Sequence, residues 1–156
     1  VKSGQGHGFK VHTRCRPVDD QSGNELGRWF GVSKEKFYNS QLFAFVQMGF
    51  CYPGKSVAGD LPPRRECEPL WHQKILQKVE NVKLITLIGI YAQKYYLKKS
   101  LKTTLTNNVK AFQDFLPKYL PLVHPSPRNK IWQKKNPWFE IEVIPMLQKK
   151  VKEFIL

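Results

Sequence analysis

Residues 120–129 read LPLVHPSPRN, an apolar run followed directly by a polar segment that contains two prolines. The apolar run predicts a strand. Because Pro125 and Pro127 fix φ and cannot continue a regular helix, the residues after the strand are expected to form a stiff loop. Such a loop presents an imidazole at His124 and a cation at Arg128, which suits action on a molecule outside the fold. An ordinary proline turn with an unrelated histidine is the alternative interpretation.

Apolar and helical patterns alternate along the rest of the chain. Strands are predicted at Val1–Ser3, Leu42–Phe50, Val82–Gly89 and Leu120–Val123. A helix is predicted from Asn24 to Trp29 or Phe30, closed by Gly31, and a helical turn follows a Ser33 cap. Further helices are predicted over 66–79 with Leu70 on the apolar face, from Ala92 to Leu97, and over 109–115 behind a Thr106 cap. The last helix is predicted from Asn136 or Pro137 to Ile155 with Ile141 on its apolar face, and Pro145 kinks or divides it. The alternation predicts the α/β class: a three-layer α/β/α sandwich with a central, mainly parallel four-stranded sheet.

Ligands of parallel sheets bind outside the carboxyl ends of the strands. Three candidate segments follow predicted strands: Gly4–Gly8, Gln47–Gly54 and His124–Asn129. We therefore expect them to converge in one crevice. The residues between 51 and 63, rich in proline and glycine, are expected to form a long ordered loop. The length of the chain predicts a single domain over 1–156. We expect this domain to be short at its N-terminus, because Val1–Ser3 resembles only the tail of a strand.

The charge of the chain is strongly positive and unevenly distributed. The formal net charge is +14, and residues 71–156 carry 16 basic and five acidic side chains, a net charge of +11. A half with this positive charge suits binding to a polyanion, and the affinity would then fall as the salt concentration rises. The alternative is a solvated lysine-rich surface with no partner.

The number of cysteines and the hydropathy of the chain indicate the kind of cellular environment in which the protein works. The three cysteines, Cys15, Cys51 and Cys67, do not form an even disulfide framework, which favours a reducing environment. No stretch approaches the roughly 20 apolar residues of a membrane-spanning helix, and no signal peptide is visible. We therefore expect no membrane partner.

Several motifs resemble, in order, those of the uracil-DNA glycosylase superfamily. HPSPRN is the hallmark of its single-strand-selective monofunctional type. The other segments that resemble the family are Gly4–Gly8 (the first motif), Arg16–Gly23 (the following loop), Gln47–Pro53 (the base-reading strand and loop), Asp60–Cys67, Gly89–Ala92 (the G-x-x-A turn) and Asn136–Glu140. The Asp60 and Asn136 segments match a bacterial branch. The order and spacing of these motifs identify the chain as a member of the superfamily.

The resemblance implies hydrolysis of the N-glycosidic bond that joins uracil to deoxyribose in DNA. His124 is then the catalytic donor that stabilises negative charge on uracil O2. Ser126 would contact a backbone phosphate, and Pro125 and Asn129 belong to the same DNA-binding loop. Arg128 would either fill the gap left by the flipped base or contact a phosphate.

The first motif departs from the family pattern. The family's water-positioning side chain is Asp or Asn at the position of Gly6, in the base-binding turn, or Glu at the position of Gln5. Because an amide cannot act as a base, Gln5 is expected only to orient a water molecule. His7 or His12 is the alternative source of a compensating group.

The base pocket departs from the pattern as well. Val18 stands where an aromatic residue of the family stacks on uracil. The platform is therefore absent, or it comes from Phe9, Phe50 or Tyr52. Gln47 stands near the position where relatives use Asn to read the uracil edge, and its amide offers the same donor and acceptor pair with a longer reach.

The spacing of Cys51 and Cys67 resembles the second ligand pair of the iron–sulfur cluster in a thermophile-type branch. Such clusters are held by four thiolates, and the chain has no upstream C-x2-C pair. The expectation is therefore no cofactor and no metal, with both cysteines structural, unless an upstream segment supplies the missing pair.

Three functional hypotheses follow. The first is a monofunctional glycosylase, a monomer that acts on uracil or a related deaminated base in single- or double-stranded DNA. It would be cytoplasmic and nucleoid-associated in a bacterial or archaeal cell. The second is a DNA-binding protein that retains the fold with weak or absent catalysis, which Gly6 and Val18 favour. The third is an RNA- or nucleotide-binding protein that uses the same crevice.

Overall fold

Four short strands form one sheet in a computed structural model of the chain, which describes residues 1–4, 20–57 and 59–155. These strands are β1 (Lys2–Gly4), β2 (Phe45–Gln47), β5 (Ile85–Ile88) and β6 (Tyr119–Leu122). A separate antiparallel hairpin follows β2 and consists of β3 (Lys55–Ser56) and β4 (Gly59–Asp60). The loop predicted between residues 51 and 63 therefore contains this small hairpin.

The strand order is β2-β1-β5-β6, and every neighbouring pair is parallel. In this register Gly4 lies beside Gln47, and Ile88 lies beside Leu122. The carboxyl ends of the strands consequently share one edge of the sheet. Because β2 and β6 are the outer strands, Gln47 and Leu122 are separated by three strand spacings, about 14 Å.

Helices occupy the connections between the strands. They are α1 (Gln21–Phe30), α2 (Lys34–Phe37), α3 (Gln73–Lys78), α4 (Gly89–Leu97), α5 (Leu105–Lys110), α6 (Lys130–Lys135) and α7 (Ile144–Ile155). Wider π-type turns at Glu68–His72 and Phe139–Val143 precede α3 and α7, and short 3-10 turns occur at Lys98–Ser100, Phe112–Phe115 and Pro127–Asn129. Within the described ranges, none of these helices has the length and apolar character needed to cross a membrane.

The side chains of β5 divide the hydrophobic core into two clusters. Ile85 and Leu87 pack in a cluster with Ala92 of α4, whereas Ile88 packs in a second cluster with Trp29 of α1. Since successive strand residues point to opposite faces, the two clusters lie on opposite sides of the sheet. The predicted α/β class is confirmed.

The strand predicted at Leu42–Phe50 is shorter than expected. Only Phe45–Gln47 pairs with β1, and Leu42 and Phe50 are 37% and 38% exposed. β2 is an outer strand with one neighbour in the sheet. Its apolar flanks therefore extend beyond the hydrogen-bonded ladder.

The helix predicted over 66–79 has a different buried face from the one expected. Leu70 was placed on the apolar face, but it is 55% exposed, whereas His72 is completely buried. The π-type turn at Glu68–His72 explains the change, because its wider winding rotates the following residues relative to an α-helix.

Two details near the C-terminal half also differ from the prediction. Thr104, rather than Thr106, caps α5 by accepting a hydrogen bond from the amide of Asn107 (3.1 Å). The hydroxyl of Thr106 instead accepts a hydrogen bond from the indole of Trp132 (2.9 Å). This bond joins α5 to α6.

The last helix is divided, as one of the alternatives for Pro145 predicted. Pro145 is the second residue of α7, a position that requires no amide donor. Ile141, which was predicted to lie on the apolar face, is in the preceding π-type turn and is 71% exposed. The altered winding of that turn removes Ile141 from the face that Leu147 and Val151 bury.

Candidate active site

The loop that follows β6, residues 124–129, is held in shape by its own hydrogen bonds. The Ser126 hydroxyl accepts a hydrogen bond from the Arg128 amide (3.3 Å) at the start of the 3-10 turn. The Asn129 amide donates to the Ser126 carbonyl (2.9 Å), and the Asn129 side-chain amide donates to the His124 carbonyl (2.8 Å). Hydrogen bonds within the loop therefore help to fix the backbone of His124.

The imidazole of His124 is partly buried at the carboxyl edge of the sheet. Burial lowers the pKa of His124, and the nearby carboxylate of Asp20 opposes this change with a smaller effect. A neutral ring at physiological pH is the consequence. Among the residues that the structure describes, no hydrogen bond reaches either ring nitrogen. A donor and an acceptor of His124 are therefore available to a ligand.

The neighbouring strand end closely approaches His124. Gly89 begins α4 with a φ of +80°, directly after β5. A methyl group at Gly89 would lie 3.9 Å from the His124 Cβ atom. The chain turn after β5 and the loop after β6 thus form adjacent parts of the same edge.

A buried polar network supports the strand that leads into the loop. The side-chain amide of Gln93 donates to the Leu122 carbonyl (2.9 Å), and its oxygen accepts from the amide of Asn108 (3.1 Å). Both side chains are completely buried. The Asn108 oxygen in turn accepts from the Lys102 backbone amide (2.7 Å). This network holds the end of β6 two residues before His124.

Arg128 contacts the β3–β4 hairpin from the opposite side of the site. A methyl group at Gly59 would lie 3.3 Å from Nη1 of Arg128, and Gly59 has a φ of +123°. Glycine at this position therefore permits both the hairpin turn and the approach of the guanidinium. Asp60 of the hairpin accepts a hydrogen bond from the Tyr52 hydroxyl (3.0 Å). The hairpin consequently reaches from the segment after β2 to the loop after β6.

The end of β2 is held by a histidine that the sequence interpretation missed. His72 is completely buried, and its Nε2 lies 2.8 Å from the Gln47 carbonyl oxygen. Because a carbonyl only accepts, Nε2 carries the proton, and Nδ1 of the neutral ring accepts from the Tyr96 hydroxyl (2.7 Å). Burial lowers the pKa of His72, and its bond to the Gln47 carbonyl opposes this effect. The Phe50 ring packs beside His72, with their centroids 5.9 Å apart.

The structure brings together part of the predicted site. His124, Ser126, Arg128 and Asn129 share one loop, in which Pro125 is buried. Gln47 and Phe50 lie at the same edge of the sheet, but they follow the other outer strand. The remaining predicted site residues, namely Gln5, Gly6 and Val18, and the alternatives His7, Phe9 and His12, lie outside the described residues.

A basic helix follows the loop immediately. Lys130, Lys134 and Lys135 of α6 are exposed, and Trp132 anchors the helix through its bond to Thr106. Their position beside residues 124–129 suits contacts with phosphate groups. The positive charge of residues 71–156 indicated a basic surface in this half of the chain, although these lysines were not predicted as site residues.

The cysteines that fall in the described part of the chain do not complete a cluster site. Cys51 is exposed, Cys67 is partly buried, and neither is in a disulfide. Two thiols are half of the ligand set that an iron–sulfur cluster requires. The described residues therefore do not fit this group, and no chemical step is assigned to it.

Comparison with protein families gives one match that covers most of the chain. A family model described as the Uracil DNA glycosylase superfamily matches residues 3–148. The matched range includes the last two residues of β1, both outer strand ends and the whole His124 loop.

Proposed function

The chain belongs to the uracil-DNA glycosylase superfamily, whose members act on DNA as glycosylase-type hydrolases, and from that premise we propose a specific reaction. The protein is a monofunctional DNA glycosylase that hydrolyses the N-glycosidic bond of uracil or a related deaminated base during base excision repair. The observation that carries this proposal is a neutral His124 whose ring nitrogens have no hydrogen-bond partner among the described residues, on a loop with its own hydrogen bonds at the carboxyl edge of the sheet.

The reaction requires the base to leave the DNA stack, which costs a few kcal/mol and least for a mispaired base. As the C1′–N1 bond breaks, its electron pair moves onto uracil, and the sugar acquires oxocarbenium character. Water adds to C1′, and its proton is released to solvent or to the departing base. The products are a free base and an abasic site.

His124 would stabilise the negative charge that develops on uracil O2. A neutral imidazole can donate one ring N–H to that oxygen, and burial keeps it neutral at physiological pH. One preorganised donor of this kind contributes about 3–4 kcal/mol to lowering the barrier. The bond from Asn129 to the His124 carbonyl supports the required preorganisation.

Other side chains would bind and orient the substrate. Gln47 would read the uracil edge with Phe50 as a neighbouring aromatic surface, and Gln5 would orient the water. Ser126 and the exposed lysines of α6 would contact phosphates. Arg128, which lies against Gly59 beside the loop, would contact a phosphate or occupy the gap left by the flipped base.

The wider assembly is proposed on the same basis. We propose that helices on both faces of the sheet make a three-layer sandwich, since core clusters occupy both faces. The protein would act as a monomer on single- or double-stranded DNA. It would work in the cytoplasm of a bacterial or archaeal cell, in association with the nucleoid.

A panel of labelled oligonucleotides tests the reaction. Each would carry uracil, hypoxanthine or xanthine at one position, in single-stranded and duplex form, and abasic sites would be revealed with alkali. We expect release of uracil or a related base by the wild-type protein, and no strand break before alkali is added. Strand breaks without alkali would contradict the monofunctional assignment.

The second candidate function is DNA binding with weak or absent catalysis. Gly6 and Val18 favour it, because neither can supply the carboxylate or aromatic ring that the family pattern has there. Retained, salt-dependent DNA binding without base release from any member of the panel would support this candidate and would reject the glycosylase.

A further inference from the structure

A cleft lies at the amino ends of β5 and β6, at the opposite edge of the sheet from His124. Its volume is about 710 Å³, within the range of small-ligand sites. Ile85 and Tyr119, the first residues of β5 and β6, form part of its wall and lie beside each other in the sheet. α3 and the end of α4 form the other side. His72, which contacts the Gln47 carbonyl, also lines the cleft, so the cleft extends from the amino ends of β5 and β6 towards the end of β2.

The lining of the cleft combines cations with aromatic rings. Lys83, Lys98 and Lys118 line it, and no Asp or Glu is among its lining residues. In the described part of the chain, none of these three lysines forms an ion pair. Lys98 Nζ lies 5.9 Å from the centre of the Tyr95 ring, and Lys118 Nζ lies 5.2 Å from that of Tyr119. Lysines bind phosphate, and aromatic rings stack on nucleobases.

The backbone at Lys98 supports a role for this side chain. Lys98 follows α4 as its C-terminal cap, with φ of 45° and ψ of −113°, a conformation that favours glycine. A lysine at this position strains the backbone, and such strain is concentrated at functional sites. The strained residue is also one of the three cations that line the cleft.

We propose that this cleft binds a nucleotide, with its phosphate near the lysines and its base against the tyrosine rings. The nucleotide is either free or part of a DNA strand that continues past the active site. The cleft shares no residue with the His124 loop, so its ligand would not occupy the place of the extruded base.

Backbone amide NMR of the full chain tests the proposal with three probes. These are thymidine monophosphate, a uracil-free thymidine oligonucleotide and inorganic phosphate. We expect the amides of Tyr95, Lys98 and Tyr119 to shift with thymidine monophosphate if the site takes free nucleotides, and with the oligonucleotide alone if it takes a strand. Equal affinity for inorganic phosphate, or shifts confined to residues 124–135, would overturn the proposal.

The variant Lys98→Gly provides a sharper test, because binding and stability should change in opposite directions. We expect roughly tenfold weaker binding of the responding probe, together with a higher melting temperature, since glycine relieves the strained backbone. Lys149→Ala removes an exposed lysine of α7 and should leave probe affinity unchanged. Unchanged affinity in Lys98→Gly, or an equal loss in Lys149→Ala, would contradict the site.

Discussion

His72 and His124 are both shielded from solvent, and burial lowers the pKa of each, but their surroundings differ. His72 is completely buried, and both of its ring nitrogens have partners, Tyr96 and the Gln47 carbonyl. His124 is partly exposed, and within the described ranges its ring has no hydrogen bond. Its backbone, in contrast, is fixed by Asn129.

The comparison separates a structural histidine from one that is available for chemistry. A ring with both nitrogens paired can hold two elements together, but it has no donor left for a substrate. A neutral ring with free nitrogens on a fixed backbone has the preorganisation that catalysis requires. His72 therefore supports the end of β2, whereas we propose that His124 contacts the ligand.

Alanine at the two positions should separate the two roles most strongly. His124→Ala is expected to reduce the rate of base release at least a hundredfold, because it removes a preorganised donor. Its melting temperature should remain close to that of the wild type, since the ring has no hydrogen bond to lose in the described structure. Single-turnover base release and thermal unfolding measure these effects. A His124→Ala protein that retains activity would break the comparison.

The next effect concerns stability rather than activity. His72→Leu removes two buried hydrogen bonds and deprives the Gln47 carbonyl of its donor, at a cost of about 3 kcal/mol in the free energy of unfolding. Denaturant titration measures this loss. His72→Gln, which keeps a side-chain N–H for the carbonyl, should recover part of it. Equal stability in all three proteins would show that His72 does not support β2.

Charge next to the active loop should have a smaller and more uniform effect. Lys134→Ala combined with Lys135→Ala removes two exposed cations of α6, and DNA affinity should fall roughly tenfold at low salt. The slope of log affinity against log salt concentration should become less steep, by the amount that corresponds to about two phosphate contacts. Lys149→Ala combined with Lys152→Ala on α7 is the matched control. An equal loss in the control would indicate general attraction rather than a defined interface.

The smallest effect is the pH dependence of stability. Both histidines have lowered pKa values in the folded chain, so the unfolded chain binds more protons below its ordinary pKa of about 6.5. Stability should therefore be constant above that value and decrease as the pH falls towards the folded pKa values. The limiting slope is about 1.4 kcal/mol per pH unit for each histidine. His72→Gln should show a shallower decrease, and an unchanged slope would contradict the assignment of His72.

Local sequence patterns predicted the parts of the molecule that local chemistry determines. The prolines around His124 indicated a stiff loop, and apolar runs located β5 and β6. Gly31 was expected to end α1, and it does so with a φ of +65°. These features depend on neighbouring residues in the chain, so a single sequence contains the signal.

The contacts that support the site depend on residues far apart in sequence. Gln93 and Asn108 look like ordinary polar residues of surface helices, and only the folded chain pairs them beneath Leu122. His72 was concealed because the π-type turn changes which residues face the core. The available indication of these buried contacts was the presence of polar residues between apolar neighbours at helical positions.

The most direct test of the central claim observes both histidines while DNA is bound. An oligonucleotide with 2′-fluoro-2′-deoxyuridine resists cleavage, because the fluorine disfavours positive charge on the sugar, and the ring signals of labelled histidine can be followed by NMR. We predict that the ring-nitrogen signals of His124 shift on binding, while those of His72 remain in place. Binding that shifts the His72 signals and leaves those of His124 unchanged would contradict the account.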